Sequence, residues 1–202
     1  EDHKVGLNKF SDWTSDEFEA YQKYKPSLKR HAPQTHKTTG KPLHAVFVCC
    51  GGGGMLAGIA AYIKRVRPGV MVIGVEAEDA AGMTESIRAG KRTTLDAVGI
   101  FADGAAVKTV GQETFRICNQ LVDDMVTVST DEICAAIKDG FMDTRCVLEP
   151  AGALAIAGVR RWVAQAGAKD MTFVVTASGA NMDFDRLRGH VQQNTVVAGT
   201  AT

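Results

Sequence analysis

The sequence predicts an α/β protein: a parallel twisted sheet with flanking helices, preceded by a short, mostly helical N-terminal segment. Three observations predict it. Short apolar runs at 45–48, 70–75, 125–128 and 172–176 have the composition of buried strands. Segments with helical spacing separate them. Four consecutive glycines, Gly51, Gly52, Gly53 and Gly54, follow the first strand and lead into the first helix after it. Strand, short crossover helix, strand describes a right-handed parallel βαβ unit.

The bulk numbers narrow the function. The 202 residues allow one or two domains, and 45% hydrophobic with 23% charged residues is the balance of a globular protein. Lys plus Arg and Asp plus Glu both count 23, so the formal net charge is zero. Nothing basic points to nucleic acid and nothing acidic to a disordered tail. No apolar run is long enough for a membrane span, and there is no signal-peptide pattern. The chain starts at Glu1 rather than Met, which predicts an upstream segment. Five cysteines form no disulfide-framework spacing, and Cys49-Cys50 lacks the C-x-x-C pattern of zinc or redox sites. All five are expected as reduced thiols of an intracellular protein.

Residues 1–40 are polar, with few aliphatics. Thr14-Ser15-Asp16-Glu17 has capping-box spacing and predicts a helix over 15–23. Before it, Gly6-Leu7-Asn8-Lys9-Phe10-Ser11-Asp12 has the spacing Gly-x-Asn-x-Phe-x-Asp, followed by Trp13-Thr14 and Glu17-Phe18. That pattern over 1–27 resembles the end of a papain-type protease propeptide, an inhibitor module. It implies a papain-type protease as partner for residues 5–24. Residues 28–43, with Pro33, Gly40 and Pro42 among Thr, His and Lys, predict a linker. His31 and His36 sit in it without a further ligand pattern, so no metal site is expected.

From His44 the α/β pattern begins. A helix over 55–66 places Leu56, Ile59, Ala60 and Ile63 on one face and Lys64, Arg65 and Arg67 on the other. Pro68-Gly69 ends it. Residues 80–89 look helical, and 99–110, rich in glycine and alanine, predict a loop folding over something. Residues 112–122 have helical spacing through Phe115, Ile117, Cys118 and Leu121. Ser129 and Glu132 cap a helix with Ile133, Ala136, Ile137 and Phe141 inward. A helix over 151–166, rich in small residues, must pack closely on its neighbours. The last strand runs into Ser178-Gly179-Ala180-Asn181. In a parallel sheet ligands bind beyond the carboxyl ends of the strands, so the glycines and Ser178 would open onto one crevice.

Bare backbone at a helix N-terminus suits a phosphate; a flexible turn is the plainer reading of a glycine run. Two anion-binding chemistries can be weighed. Gly52-x-Gly54-x-x-Ala57 fits the dinucleotide pattern, with Glu76 ending the next strand where a ribose-binding acid would lie. A nucleotide P-loop is excluded, because no Gly-Lys-Ser/Thr follows.

Five ordered motifs favour another chemistry. They are Val48-x-x-Gly-Gly-Gly-Gly-Met-Leu-Ala-Gly, Gly74-Val75-Glu76-Ala77, Asp103-Gly104-Ala105-Ala106-Val107-Lys108, Glu149-Pro150-Ala151-Gly152-Ala153 and Ser178-Gly179-Ala180-Asn181. Together they make residues 44–188 similar to the threonine dehydratases, fold type II pyridoxal-phosphate enzymes of the tryptophan synthase β family. The stretch resembles the C-terminal half of that catalytic domain, a partial large domain, with 189–202 left as a polar tail.

The resemblance implies roles. Gly51, Gly52, Gly53 and Gly54, with the Met55 amide, would hold the phosphate of pyridoxal 5′-phosphate, and Ser178 would bond its pyridine nitrogen. Glu149 would lie near the ring; a plain helix-N-terminal acid explains it equally well. Glu76 could suggest a cation site as in relatives, but the acid expected six residues on is Gly82, so no metal is expected. The implied reaction converts L-threonine, and L-serine less well, to a 2-oxo acid plus ammonia in isoleucine biosynthesis. It needs a Schiff-base lysine from a Ser-Phe-Lys type motif upstream of the glycines, and these 202 residues contain none. No catalytic residue is therefore assigned, and the chain alone is expected to be inactive. The junction near Lys41 marks a natural fusion or a chimeric gene. The expected partners are an amino-acid substrate and a second copy of the chain. A cytosolic or organelle-matrix location is favoured over a secretory one. The alternatives are a protease-inhibitor fragment fused to a cofactor-binding remnant, and a dinucleotide-binding oxidoreductase domain.

Overall fold

A computed structural model describes residues 34–35 and 42–182. The propeptide-like stretch, most of the expected linker and the tail lie outside these residues. Within the linker stretch, β1 (Gln34–Thr35) pairs antiparallel with β2 (Pro42–Leu43).

The α/β body follows in order: β3 (Ala45–Cys49), α1 (Gly54–Val66), β4 (Met71–Ala77), α2 (Gly82–Ala89), α3 (Gln112–Leu121), β5 (Asp124–Val128), α4 (Thr130–Thr144), α5 (Pro150–Ala166) and β6 (Phe173–Val175). The strands form one sheet in the order β5-β4-β3-β6, and every neighbouring pair is parallel. The predicted fold class is therefore the observed one, with strand bounds shifted by a residue or two. β3 has β4 on one side and β6, the last strand in the chain, on the other. The strand order reverses there, and a crevice opens at such a point beyond the carboxyl ends of the strands.

Alternation along the strands divides the core in two. Ala45, Phe47, Ile73, Val75 and Ala77 face α4 and α5. Val46, Val48 and Val72 face α1 and α3, together with Met83 of α2. Phe47, Trp162 and Phe173 meet edge to face with centroids 5.6–5.8 Å apart, tying α5 to β3 and β6. Each such pair is worth about 0.5–1.5 kcal/mol beyond its burial. The small residues of α5 serve close approach as expected: a Cβ on Gly158 would lie 2.6 Å from Val75 Cγ1. Ser129 and Glu132 form the predicted capping box, with Glu132 N–H donating to Ser129 Oγ and Ser129 N–H donating to Glu132.

Two side-chain placements differ from the pattern. Phe141, expected inward on α4, is 43% exposed. Lys64, expected on the outer face of α1, is buried, while Ile59 and Ile63 are only partly covered. The cause is polar. Lys64 Nζ donates to the Val70 carbonyl (2.9 Å) and pairs with Asp123 at 2.5 Å, and Asp123 also accepts from the Val72 amide (2.7 Å). This cluster ties the end of α1 to the start of β4 and to the turn before β5. The Lys64 side chain is 1% exposed, so removing it strands a carboxylate and a carbonyl. Lys64→Ala is expected to cost about 3 kcal/mol, measured by urea unfolding. A loss below about 1 kcal/mol, the range of a surface pair, would contradict this burial.

The expected loop over 99–110 contains one 3-10 turn, Asp103–Ala105. Its return is fastened by the Leu95 amide donating to the Lys108 carbonyl and by a Thr94–Thr109 bridge. What it folds over is the glycine run, as its contacts with Gly51 show below.

Candidate functional site

The site grows from the carboxyl ends of β3 and β6. After Cys49 the chain leaves the sheet through the glycines, and α1 starts at Gly54. Gly53 is the N-cap, at φ 90°, a left-handed conformation that a side chain would strain. No side chain caps this helix, and its first turn holds no acid. The opening amides of α1 are therefore left for an external acceptor. The loop is nonetheless held firmly. Cys50 N–H donates to Val75 O (2.8 Å), and Gly52 O accepts from Gly111 N–H (3.2 Å) and Thr114 Oγ1 (2.6 Å). Gly51 packs on the 3-10 turn so tightly that a Cβ there would lie 2.9 Å from Ala105 Cα.

The second wall comes from β6. The Thr176 amide donates to Phe47 O (3.0 Å), and the Cys49 amide donates to Thr176 Oγ1 (3.4 Å). This register brings Ser178 beside β3, where its Oγ lies 3.4 Å from Cys49 Sγ. Glu149, the N-cap of α5, braces the turn that follows: its amide donates to Gly179 O (3.1 Å) and its Oε2 accepts from the Asn181 amide (3.0 Å).

All six sequence-predicted residues, Gly51, Gly52, Gly53, Gly54, Met55 and Ser178, line one cavity of about 340 Å³. Cys49, Gly104, Ala105, Glu149, Ala151 and Gly179 complete its wall. Sequence reasoning gave Cys49 no place in the site. The available signal was parity: two-residue alternation puts Cys49 on the α5 face, with Phe47, and sends Cys50 to the other face.

Glu76 is the correction. Expected as a candidate ribose ligand, it is fully buried, and its carboxylate accepts from the Met83 amide (2.8 Å), the Thr84 amide (2.8 Å) and the Thr84 hydroxyl (2.6 Å). It caps α2 from within the core and has no reach to a ribose, so the dinucleotide alternative loses its acid.

Electrostatics set the thiols apart. Burial pushes the Cys49 thiol up, and the nearby Glu149 charge adds to this, while the Ser178 contact opposes it. Burial raises Cys50 well above the usual thiol range and pushes Cys118 up to about 12. Raised values mean little thiolate at neutral pH, and thiolate is the reactive form. Cys146, the exposed thiol among the described residues, is therefore expected to react first with a disulfide reagent at neutral pH. Cys50 and Cys118 should react only after denaturation. Mass mapping of the modified sites checks the order, and prompt labelling of Cys118 in the folded chain would contradict it.

The wall fits a small ligand with a phosphate at one end and a polar ring at the other. Gly52 and Gly54 face open space, the helix amides are uncapped, and Ser178 offers a hydroxyl across the cavity. Among the described residues no lysine lines the cavity, and no group of three His, Cys, Asp or Glu could hold a metal.

Comparison with known proteins bears on the same residues. A family model described as pyridoxal-phosphate dependent enzyme matches residues 24–179. The match starts inside the stretch expected to be propeptide-like and runs through the expected linker. The biosynthetic L-threonine dehydratase of Burkholderia multivorans is 58% identical over 147 residues, covering 73% of this chain and 29% of the relative. The chloroplastic biosynthetic enzyme of Arabidopsis thaliana is also 58% identical over 147 residues, covering 73% of this chain and 25% of the relative. The mitochondrial threonine dehydratase of Schizosaccharomyces pombe is 54% identical over 155 residues, covering 76% and 26%. The chain thus spans between a quarter and a third of the length of these relatives. Among solved structures, the processed form of threonine deaminase isoform 2 from Solanum lycopersicum matches with a TM-score of 0.73 and 40% identity, covering 87% of this chain and 49% of that one.

Proposed function

Because the chain belongs to the family of pyridoxal-phosphate-dependent enzymes, we propose that its cavity is the cofactor cup of a threonine ammonia-lyase, which converts L-threonine, and L-serine less well, to a 2-oxo acid and ammonia. One observation carries this reading. The uncapped glycine amides and Ser178 stand at the carboxyl ends of neighbouring parallel strands and line the same cavity.

Each residue then has a task. The amides of the glycine run and Met55 bind the phosphate, helped by the positive end of α1. The Ser178 hydroxyl bonds the pyridine nitrogen. Unlike a carboxylate, it does not hold a proton on that nitrogen, which suits elimination over chemistry needing a long-lived carbanion. Glu149 keeps the turn over 178–181 in place through its bonds to Gly179 and Asn181. The loop around Gly104 and Ala105 forms one side of the cup. When bound, the cofactor supplies the electron sink that makes loss of the substrate's β-hydroxyl accessible.

Proton removal at the substrate Cα needs a base, and in this family a lysine serves. It is to be supplied from outside these 202 residues, which contain no Ser-Phe-Lys sequence. The purified chain given L-threonine and pyridoxal phosphate is therefore expected to form no 2-oxobutanoate. Measurable product would overturn that division of labour.

Residues 5–24 support a second reading through their Gly-x-Asn-x-Phe-x-Asp spacing. On that reading they form a protease-binding segment joined near Lys41, and a synthetic peptide of these residues would slow a papain-type protease. Unchanged protease rates would remove it. The catalytic body is proposed to work in the cytosol or an organelle matrix, alongside relatives named as mitochondrial and chloroplastic, and to pair with a second copy of itself. No helix among the described residues is long and apolar enough to cross a membrane.

A further inference from the structure

Cys49 stands out in the cavity wall because its side chain meets the one hydroxyl to which the cofactor reading assigns the ring nitrogen. Cys49 Sγ lies 3.4 Å from Ser178 Oγ; Cys49 ends β3, and Ser178 lies three residues beyond the end of β6, the parallel strand beside it. The backbone fixes the pair: the Cys49 amide donates to Thr176 Oγ1, and the Thr176 amide donates to Phe47 O.

Distance alone allows two hydrogen arrangements. In one the serine hydroxyl donates to sulfur. This spends a good donor on a weak acceptor and turns the hydroxyl hydrogen away from the cavity. In the other the thiol donates to Ser178 Oγ. The oxygen then accepts at its lone pair, and its own hydrogen remains for an acceptor across the cavity. An unprotonated pyridine nitrogen is an acceptor only, so only the second arrangement serves it.

We propose that Cys49 is a positioning residue for Ser178: its thiol donates to Ser178 Oγ and so aims the serine hydroxyl hydrogen at an acceptor nitrogen in the cavity. The consequence for the ligand rests on the cofactor reading above; the thiol–hydroxyl bond does not. The surroundings agree with a thiol that keeps its proton. Burial, the largest influence, and the Glu149 carboxylate disfavour the thiolate at this position; the Ser178 contact opposes them, and the net shift of the Cys49 thiol is upward. A thiolate would accept from the serine and reverse the relay.

Two measurements on the full chain test it. The first needs no ligand. The infrared difference between wild type and Cys49→Ser isolates the Cys49 S–H stretch from the other cysteines. In Ser178→Ala that band should move to higher frequency, as a donated bond is lost. An unmoved band overturns the proposal.

The second uses pyridoxine 5′-phosphate, the alcohol analogue, which cannot condense with surface lysines. Cys49→Ala should weaken its binding by about fivefold, the loss of one net hydrogen bond, while Cys49→Ser, which keeps a donor, should stay within about twofold of wild type. The 15N resonance of the bound analogue's ring should move toward the free value in Cys49→Ala and return in Cys49→Ser. A merely structural role for Cys49 would not restore that signal. If wild type binds and Cys49→Ala binds equally well, the proposal falls alone. If wild type binds no analogue, the cofactor reading falls, and with it the proposed purpose of the relay; the infrared band still decides whether the bond exists.

Discussion

Gly152→Ala is expected to weaken binding of pyridoxal phosphate or its alcohol analogue by at least about a hundredfold, an effect on the scale of displacing several hydrogen-bonding groups at once. Gly152 lies in the first turn of α5, beneath the turn that carries Ser178. A Cβ there would drive into the Ser178 carbonyl oxygen and lie 2.6 Å from the Gly179 carbonyl oxygen and 2.8 Å from the Ser178 carbonyl carbon. All three neighbours are backbone, so no side chain can swing aside. The turn must move away from α5, breaking the Glu149–Gly179 bond and carrying the Ser178 hydroxyl out of line with the glycine amides. Alanine is at least as good a helix former as glycine, so the substitution does not weaken α5 through propensity. Any loss of binding therefore reports the crowded turn rather than a weakened α5. Isothermal titration of the two chains, with circular dichroism as the control for folding, measures it. Unchanged affinity would mean that the turn over 178–181 does not set the ligand's position.

The second large effect is on stability. Glu76→Ala should destabilise the fold by about 3–5 kcal/mol, because two amides and a hydroxyl at the start of α2 lose a buried acceptor. For a domain of this size that lowers the melting temperature by roughly 10 °C. The pH dependence has a defined sign. Burial raises the folded-state value of the Glu76 carboxyl above its usual range, outweighing the donors from Thr84 and Met83. A raised folded value means that the folded state holds the proton more tightly than the unfolded one. The advantage of wild type over Glu76→Ala is thus greatest below the ordinary carboxylate range, and it narrows as pH rises through the raised value. Thermal melts of both proteins across mildly acidic to neutral pH measure the gap. A gap that widened toward neutral pH would show that the donors, not burial, dominate.

Period and composition made the sheet legible. Four short apolar runs alternating with helical spacing leave few arrangements other than parallel strands with crossover helices. The cup was legible for a different reason. Four glycines between a strand and a helix have few structural uses other than close backbone approach. Periodicity could not place Lys64, because an ammonium in an apolar helix pattern reads as surface until its partners, Asp123 and the Val70 carbonyl, come from other elements. Glu76 misled in the same way. Its position at the end of β4 is where a ribose acid would stand, yet the side chain turns to α2, whose start is six residues further on. Gly152 and Cys49 have no local signal at all. One matters through a turn 26 residues later and the other through Ser178, 129 residues away. Such roles depend on which strands become neighbours, and β3 meets β6 only once the whole body has folded.

The most direct test of the central claim is titration of the full chain with pyridoxine 5′-phosphate, followed by displacement with pyridoxal phosphate. The cup should bind one analogue per chain, saturably. Gly152→Ala and Ser178→Ala should both weaken that binding, and borohydride treatment of the pyridoxal-phosphate complex should fix no cofactor within the cavity, whose described wall holds no lysine. Absence of saturable binding, or binding indifferent to both substitutions, would contradict the assignment of this cavity as a cofactor cup.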